Sequence, residues 1–220
     1  MTIVSFASGT GPAGFGLAAR FARAGDEVVI GSRAIARAEE AQAMVLQHVP
    51  GARVRAMENA DAVAAGDVVF LTMPPVAQRE SVEGLAAALA GKIVVSMANP
   101  LTVTGGEVST WFPAAGSLAE EVQEVVPTAR VVGAFHEIHA RRFVKLDRPI
   151  DSDTVVTAGD DDAKQEVMRL ARHVEGVRPV DGGRLSNTRF VEGFVAVLIS
   201  INFRYKAGTS IRITGLPEDM

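Results

Sequence analysis

The sequence contains no cysteine. Disulfides, thiolate metal sites and cysteine nucleophiles are thereby removed together, and thiols say nothing of the redox compartment. No apolar run reaches the length of about 18 residues that suggests a membrane span. The N-terminus runs straight into a strand-like stretch, without a charged n-region and cleavage site. Neither sign of charge dominates. With 22 basic and 26 acidic residues the net charge is −4, which gives no reason to expect nucleic acid or an anionic membrane as a partner. Tryptophan occurs once, as Trp111, and neither an internal repeat nor a low-complexity segment is present. What remains is a chain of 220 residues, 48% hydrophobic and 22% charged. Such a chain builds one large core, with room for a small appendage, and is read as a soluble cytoplasmic protein.

The most informative stretch is the first thirty-three residues. Thr2 to Ala7 is a short apolar run of the kind that forms a buried parallel strand. Phe15 to Gly25 is helical in period and ends in a glycine suited to the C′ position. Between them, Gly9-Thr10-Gly11-Pro12-Ala13-Gly14 fits G-x-G-x-x-G in the strand–turn–helix context that a dinucleotide site needs. Gly9 is expected to turn the chain, Gly11 to leave room for a pyrophosphate, and Gly14 to let helix and strand approach. A second strand ends at Ser32-Arg33, with Arg37 one helical turn on. An NAD site usually places Asp or Glu there to bind the ribose. A hydroxyl and two guanidinium groups suit the 2′-phosphate of NADP instead, although two arginines at a helix start also make an ordinary solvated turn.

Beyond Arg33 the pattern alternates. Helix is predicted for 34–49, strand for 53–57, a capped helix for 59–66 and strand for 67–73. The last of these ends in Met73-Pro74-Pro75, candidates for the nicotinamide half of a ligand or simply a rigid turn. A helix over 82–89 and a strand over 92–98 lead into Asn99-Pro100, and 101–116 reads as a loop. Ser117 to Glu120 is a capping box, and 130–135 is a sixth strand. This alternation predicts a doubly wound, Rossmann-type α/β fold with a mostly parallel sheet. Residues 1–150 form the nucleotide-binding part. Residues 151–220 form a smaller α/β region built on a long amphipathic helix from about 185 to 206, whose apolar stripe is Val191, Phe194, Val195, Leu198 and Ile201 or Asn202. That helix packs on the sheet or on a partner subunit, which suggests a homodimer. His136 and His139 flank Glu137 without the further ligands a metal site needs, so no metal is expected; His136 faces the cleft and His139 lies in a loop. Asp160-Asp161-Asp162 caps a helix. His48 and His173 read as surface positions on helices.

The chain resembles the F420-dependent NADP reductases, which pass hydride between NADP and the 8-hydroxy-5-deazaflavin coenzyme F420. The resemblance runs nearly end to end. It is carried by Gly9 to Gly14, Gly31-Ser32-Arg33, Val131 to His136, Ala140-Arg141-Arg142-Phe143, Ala158 to Asp162 and Arg178 to Asn187. It implies that Thr10, Ser32, Arg33 and Arg37 hold the 2′-phosphate, and that Met73-Pro74 and Ala98-Asn99-Pro100 line the nicotinamide. His136, Ile138 and the Gly208 region would face the deazaflavin, with His136 bonding a ring carbonyl and Arg141, Arg142 and Lys145 near the coenzyme's anionic tail. The family's proline after His-x-x is replaced here by His139. Two other functions fit the same residues: an NADP-dependent reductase of a small imine or carbonyl compound, and a non-catalytic NADP(H) sensor.

Overall fold

A computed structural model describes residues 2–217; Met1 and residues 218–220, the outer ends of the two expected regions, lie outside the described residues. The strands are β1 (Ile3–Ala7), β2 (Glu27–Ser32), β3 (Val54–Glu58), β4 (Val68–Leu71), β5 (Ile93–Ser96), β6 (Leu101–Thr104), β7 (Glu107–Thr110), β8 (Arg130–Gly133), β9 (Ser152–Ala158) and β10 (Val177–Asp181). The helices are α1 (Pro12–Arg23), α2 (Ile35–His48), α3 (Asn59–Ala65), α4 (Gln78–Leu89), α5 (Leu118–Val125), α6 (Ala140–Phe143), α7 (Asp161–Ala171) and α8 (Thr188–Tyr205). Eight strands form one sheet in the order β10-β9-β8-β5-β4-β1-β2-β3. All neighbours are parallel except β8 and β9. The fold is the Rossmann-like α/β architecture that the alternation of elements predicts.

The central strands β1, β4 and β5 are almost wholly buried, as continuous apolar runs covered on both faces should be. Helices α1, α2 and α7 contribute Leu17, Phe21, Val45, Val167 and Leu170 to one side of the core. Helices α3, α4 and α5 contribute Val63, Val82, Leu89 and Val122 to the other. A file of rings links the middle of the sheet to the carboxyl edge: Phe6 stacks on Phe70 (5.1 Å), Phe70 meets Phe135 (5.9 Å) and Phe135 meets Phe143 (6.3 Å). Helix α1 ends in a Schellman motif, with Gly25 at φ 92 and the Asp26 N–H donating to the Phe21 carbonyl.

Strand β9 runs backwards for a topological reason. The segment between β8 and β9 starts and finishes beyond the carboxyl edge without crossing back, so the next strand descends. Its first residues therefore stand beside 134–137, and the Phe135 N–H donates to Thr154 Oγ1 (2.6 Å).

Four local expectations need correction. Residues 101–116 are not simply a loop, because β6 and β7 pair as an antiparallel hairpin closed by Gly105-Gly106, both at positive φ, the two-residue turn that favours glycine. Asn59 does not cap α3; its side-chain oxygen accepts instead from the Ser8 N–H (2.9 Å). The inward line of α8 is Thr188, Glu192, Val195 and Leu198, whereas Phe194 points outward. Glu192 is buried because its carboxylate accepts from the Leu118 and Ala119 N–H groups (3.0 and 3.3 Å) at the start of α5. His173 lies past the end of α7 and is not merely a surface group, since its Nδ1 is 2.8 Å from Asp26 Oδ2. The Ser117 and Asp160 caps form as expected, each accepting from the N–H three residues on.

Candidate active site

The glycine loop divides its work differently from the simplest reading. The left-handed residue is Ser8 (φ 62), whose N–H and hydroxyl are held by the Asn59 side chain. Gly9 is required by contact, because a Cβ there would lie 2.6 Å from Phe6 Cβ. At Gly14 a Cβ would come within 2.7 Å of Thr72 Oγ1 and 2.8 Å of Gly9 Cα, so α1 lies directly on the loop and the end of β4. Beside Gly11 there is open space, with nothing within 4 Å of the position a Cβ would take. Helix α1 starts at Pro12 with no side-chain cap and no acid in its first turn. Its free N–H groups and positive dipole end thus face that open space, a site suited to a polyanion.

At the end of β2, Ser32 is buried and Arg33 and Arg37 are exposed. Neither guanidinium is paired with a carboxylate among the described residues. Two free cations beside a buried hydroxyl suit a phosphate better than a bare ribose.

Between the ends of β4, β5 and β8 on one side and α8 on the other lies a cavity of about 450 Å³. Six of the anticipated residues line it: Ala13, Met73, Ala98, Asn99, His136 and Ile138. Thr72, Met97, Phe135, Glu137, Phe143, Val195, Leu198, Asn202 and Thr209 complete much of the wall. Other anticipated residues lie elsewhere. Pro74 is exposed ahead of a short 3-10 turn, Pro75–Ala77. Pro100 is buried at the base of the hairpin, where its carbonyl accepts from the Trp111 N–H. Gly208 borders a second cavity alongside. Thr10, Pro12 and the three loop glycines belong to the helix entrance.

The polar groups of the cavity are few and unusually placed. Phe135 takes a left-handed conformation (φ 63) that delivers the next residue into the cleft, a strain of about 1–3 kcal/mol held by the surrounding ring packing and the Thr154 bond. His136 is nearly buried, and neither ring nitrogen is in hydrogen-bonding geometry with any protein atom; Asn99 Oδ1 is likewise without a partner. Asn99 meanwhile donates to the His136 carbonyl (3.2 Å), fixing the two residues to each other. Unpartnered polar atoms cost about 1–3 kcal/mol each when buried, so three in one wall mark a surface completed by a ligand. Burial pushes the His136 pKa down to about 4, against a small opposing effect of the Ala98 carbonyl, and the ring is neutral at pH 7. Glu137 is pushed up to about 7 by burial, with its own backbone, the Val155 N–H and the Thr154 hydroxyl opposing. Sequence pattern marks Glu137 as a possible acid near the cleft, between two histidines, but says nothing of its burial.

Two devices missed at the level of sequence hold the remaining walls. Gly16 lets α1 touch the Phe143 backbone, where a Cβ would fall 2.6 Å from the carbonyl carbon. One turn later, buried Arg20 donates to the carbonyls of Arg142, Phe143, Lys145 and Arg148 at 2.7–3.0 Å. The C-terminal tail is anchored through Asp153, which is fully buried and accepts from Arg178, Arg212 and the Ile213 N–H. Burial alone would raise the Asp153 pKa, but these donors hold it at about 2. The anchored tail places Thr209 in the cavity wall, its N–H donating to Asn202 Oδ1 (2.6 Å). No three His, Asp or Glu side chains gather as a metal site, and no helix is long and apolar enough to cross a membrane, among the described residues.

A family model described as "NADP oxidoreductase coenzyme F420-dependent" matches residues 4–100. Over 220 residues the chain is 40% identical to the F420-dependent NADP reductase of Methanocaldococcus jannaschii, covering 97% of this chain and 98% of that one. It is 34% identical to the F420-dependent NADP reductase of Methanothermobacter thermautotrophicus, covering 98% and 96%. Among solved structures, a candidate F420-dependent NADP reductase from Arthrobacter sp. FB24 superposes with a TM-score of 0.78 at 27% identity, covering 94% of this chain and 96% of that one.

Proposed function

The chain belongs to the F420-dependent NADP oxidoreductase family, and from that premise we propose that it transfers hydride between NADP(H) and coenzyme F420 in the cavity between the glycine loop and α8. The observation that carries this reading is the convergence of unpartnered His136 and Asn99 atoms on a largely apolar cavity. The cavity stands at the carboxyl edge, beside an uncapped helix entrance. When bound, the two coenzymes supply hydride donor and acceptor, so the protein needs neither nucleophile nor metal. Its task is to align the reacting carbons at about 3–3.5 Å and to exclude water.

Each part of the chain has a share in that task. Gly9 to Gly14 and the first turn of α1 receive the pyrophosphate, while Thr10, Ser32, Arg33 and Arg37 take the 2′-phosphate. Met73, Ala98 and Asn99 bound the nicotinamide, with Pro74, Pro75 and Pro100 stiffening the turns behind them. His136, neutral at physiological pH, offers one N–H donor and one nitrogen acceptor, and Ile138 an apolar contact, to the deazaflavin. Glu137 can hold a proton at its carboxyl close to neutrality. Residues after about 150 supply the second wall through α8 and the tail near Gly208. The outward face of α8, with Phe190 71% exposed and Phe194 and Val197 beside it, supports assembly as a homodimer, and the same reading puts the enzyme in the cytoplasm.

Anaerobic mixing with NADPH and F420, following deazaflavin absorbance, tests the function. Bleaching with NADPH and little with NADH is expected. Tight NADPH binding without bleaching would point instead to a sensor or to another acceptor.

A further inference from the structure

Among the described residues that line the cavity between the glycine loop and α8, Glu137 is the only carboxylic acid. It is 2% exposed and follows His136 on the segment that the left-handed Phe135 turns into the cleft. Two contacts from β9 hold it. The Val155 N–H donates to Oε1 at 3.1 Å, and Thr154 Oγ1 stands 3.4 Å from Oε2. Thr154 Oγ1 meanwhile accepts from the Phe135 N–H at the much shorter distance of 2.6 Å. Oε2 is thus the weakly held oxygen of the pair. No lysine, arginine or histidine is paired with Glu137 among the described residues. The charge that acts on it is Asp153 on β9, a like charge already taken by Arg178 and Arg212. A buried carboxylate with no cation beside it is costly, so the acid keeps its proton up to about pH 7.

Reduction of a deazaflavin adds one hydride and one proton to the ring, and oxidation removes both. NADPH supplies the hydride, so a group on the wall must supply the proton. Besides Glu137, the described wall has two titratable groups, His136 and His139. Burial pushes His136 down to about 4, so it has no second proton to give near neutrality. Burial and then Arg141, Arg142 and Lys145 hold His139 below its usual range, and its Nδ1 accepts from the Arg141 N–H at 3.1 Å.

We propose that Glu137 is the proton donor of the reaction, giving the ring its proton as hydride arrives from NADPH and taking it back when hydride returns to NADP. This rests on the F420 reading above. In reduction, Glu137 breaks its O–H bond and gives the proton to the ring nitrogen that receives the electron pair displaced by hydride at the ring carbon. The nicotinamide is oxidised, the deazaflavin is reduced, and Glu137 is left as a carboxylate that regains a proton from solvent once the product has gone. In oxidation the carboxylate accepts the ring N–H proton as hydride leaves. A donor that titrates near the working pH suits both directions.

The test uses Glu137→Gln, which keeps the size and both β9 contacts, since an amide oxygen accepts from Val155 and an amide nitrogen donates to Thr154. Its kcat for NADPH-driven bleaching should fall at least about tenfold, while F420 binding, read by quenching of deazaflavin fluorescence, stays within about twofold. In the parent, kcat/KM for F420 should fall as pH rises through about 7, and oxidation of the reduced coenzyme by NADP should rise through the same range. The variant should lose both limbs. Infrared difference spectra of the ligand-free proteins, taken from about pH 5 to about pH 9, need no turnover. The parent should lose the band of a protonated buried carboxyl near pH 7, a change absent from the variant and separate from that of Glu192 at about 8. A missing band, a parental pH profile in the variant, or a loss confined to F420 affinity would overturn the assignment. No bleaching by the parent would remove the F420 reading and the donor role with it; bleaching that is indifferent to Glu137 removes the donor role alone.

Discussion

Arg20 is the sharpest point at which to press on this structure. It sits on the inward face of α1, 5% exposed, and its guanidinium serves four carbonyl oxygens of the 142–148 segment. Replacing it with methionine keeps the stem and removes every donor. A hydrogen bond to a charged donor contributes about 1.5–3 kcal/mol, but the four share one cation and some of the freed carbonyls gain water. Burial also opposes the charge, since it pushes the Arg20 pKa down. A net loss of about 3 kcal/mol is therefore expected, well below the sum of the four bonds. For a chain of this size that lowers Tm by roughly 6–12 °C, and the protein still folds. The functional effect should be one-sided. The 142–148 segment carries Phe143 in the cavity wall, so KM for F420 should rise about tenfold, while KM for NADPH stays within about twofold. Arg20→Lys, with its charge kept but its fork lost, should fall between. Thermal unfolding and steady-state kinetics with each substrate varied are the assays. A Tm change under about 2 °C, or equal effects on both KM values, would refute the idea that one guanidinium organises this wall.

The loop glycines should separate stability from binding. Gly14→Ala meets backbone at 2.8 Å and should cost about 1–3 kcal/mol by overpacking. Gly11→Ala enters open space and should leave Tm almost unchanged while weakening NADPH about tenfold or more, both read by thermal unfolding and NADPH titration. His136→Ala should lower kcat/KM for F420 by about 10- to 100-fold and leave NADPH affinity nearly intact; unchanged constants would remove its role. The buried acids should give an unusual pH profile. Burial raises Glu192 to about 8 and Glu137 to about 7, above their value of 4.5 in the unfolded chain, so the native state binds the extra protons. Their contribution is full below about pH 4.5 and is lost as pH rises through about 7 and then 8. Denaturant unfolding at pH 5, 7 and 9 checks the slope, and a flat profile would contradict the burial of both carboxyls. Asp153 works in the opposite sense, its stabilisation fading as pH falls from about 4 towards its native pKa of about 2.

The unequal legibility of the two halves has a physical origin. A phosphate site made of backbone N–H groups is recorded in the sequence by what must be missing. Gly9, Gly11 and Gly14 therefore betray it, and Ser32 with Arg33 marks the place where an acid is absent. The central strands are equally plain, because double-sided burial leaves β1, β4 and β5 almost no polar positions. The hairpin was open to the same treatment: Gly105-Gly106 between Leu101-Thr102-Val103-Thr104 and Glu107-Val108-Ser109-Thr110 is a turn signal. It is hidden only by the expectation that helix should follow strand. The second half of the site is another matter, because polar residues that face inward through tertiary partners build it. Arg20 between Leu17 and Phe21 reads as a solvated charge until the 142–148 carbonyls arrive, 122 to 128 positions away. Glu192 reads as the wet side of α8 until the start of α5 is set against it, and the apolar period then points to Phe194 instead. Asp153 reads as a strand residue until the tail brings Arg212 and Ile213. Each of these groups is satisfied by a partner distant in sequence, so its direction cannot be inferred from local pattern. A binding surface assembled from such groups can change its ligand by exchanging a few side chains while the nucleotide loop stays as it is. The second substrate should accordingly be the variable feature of this architecture.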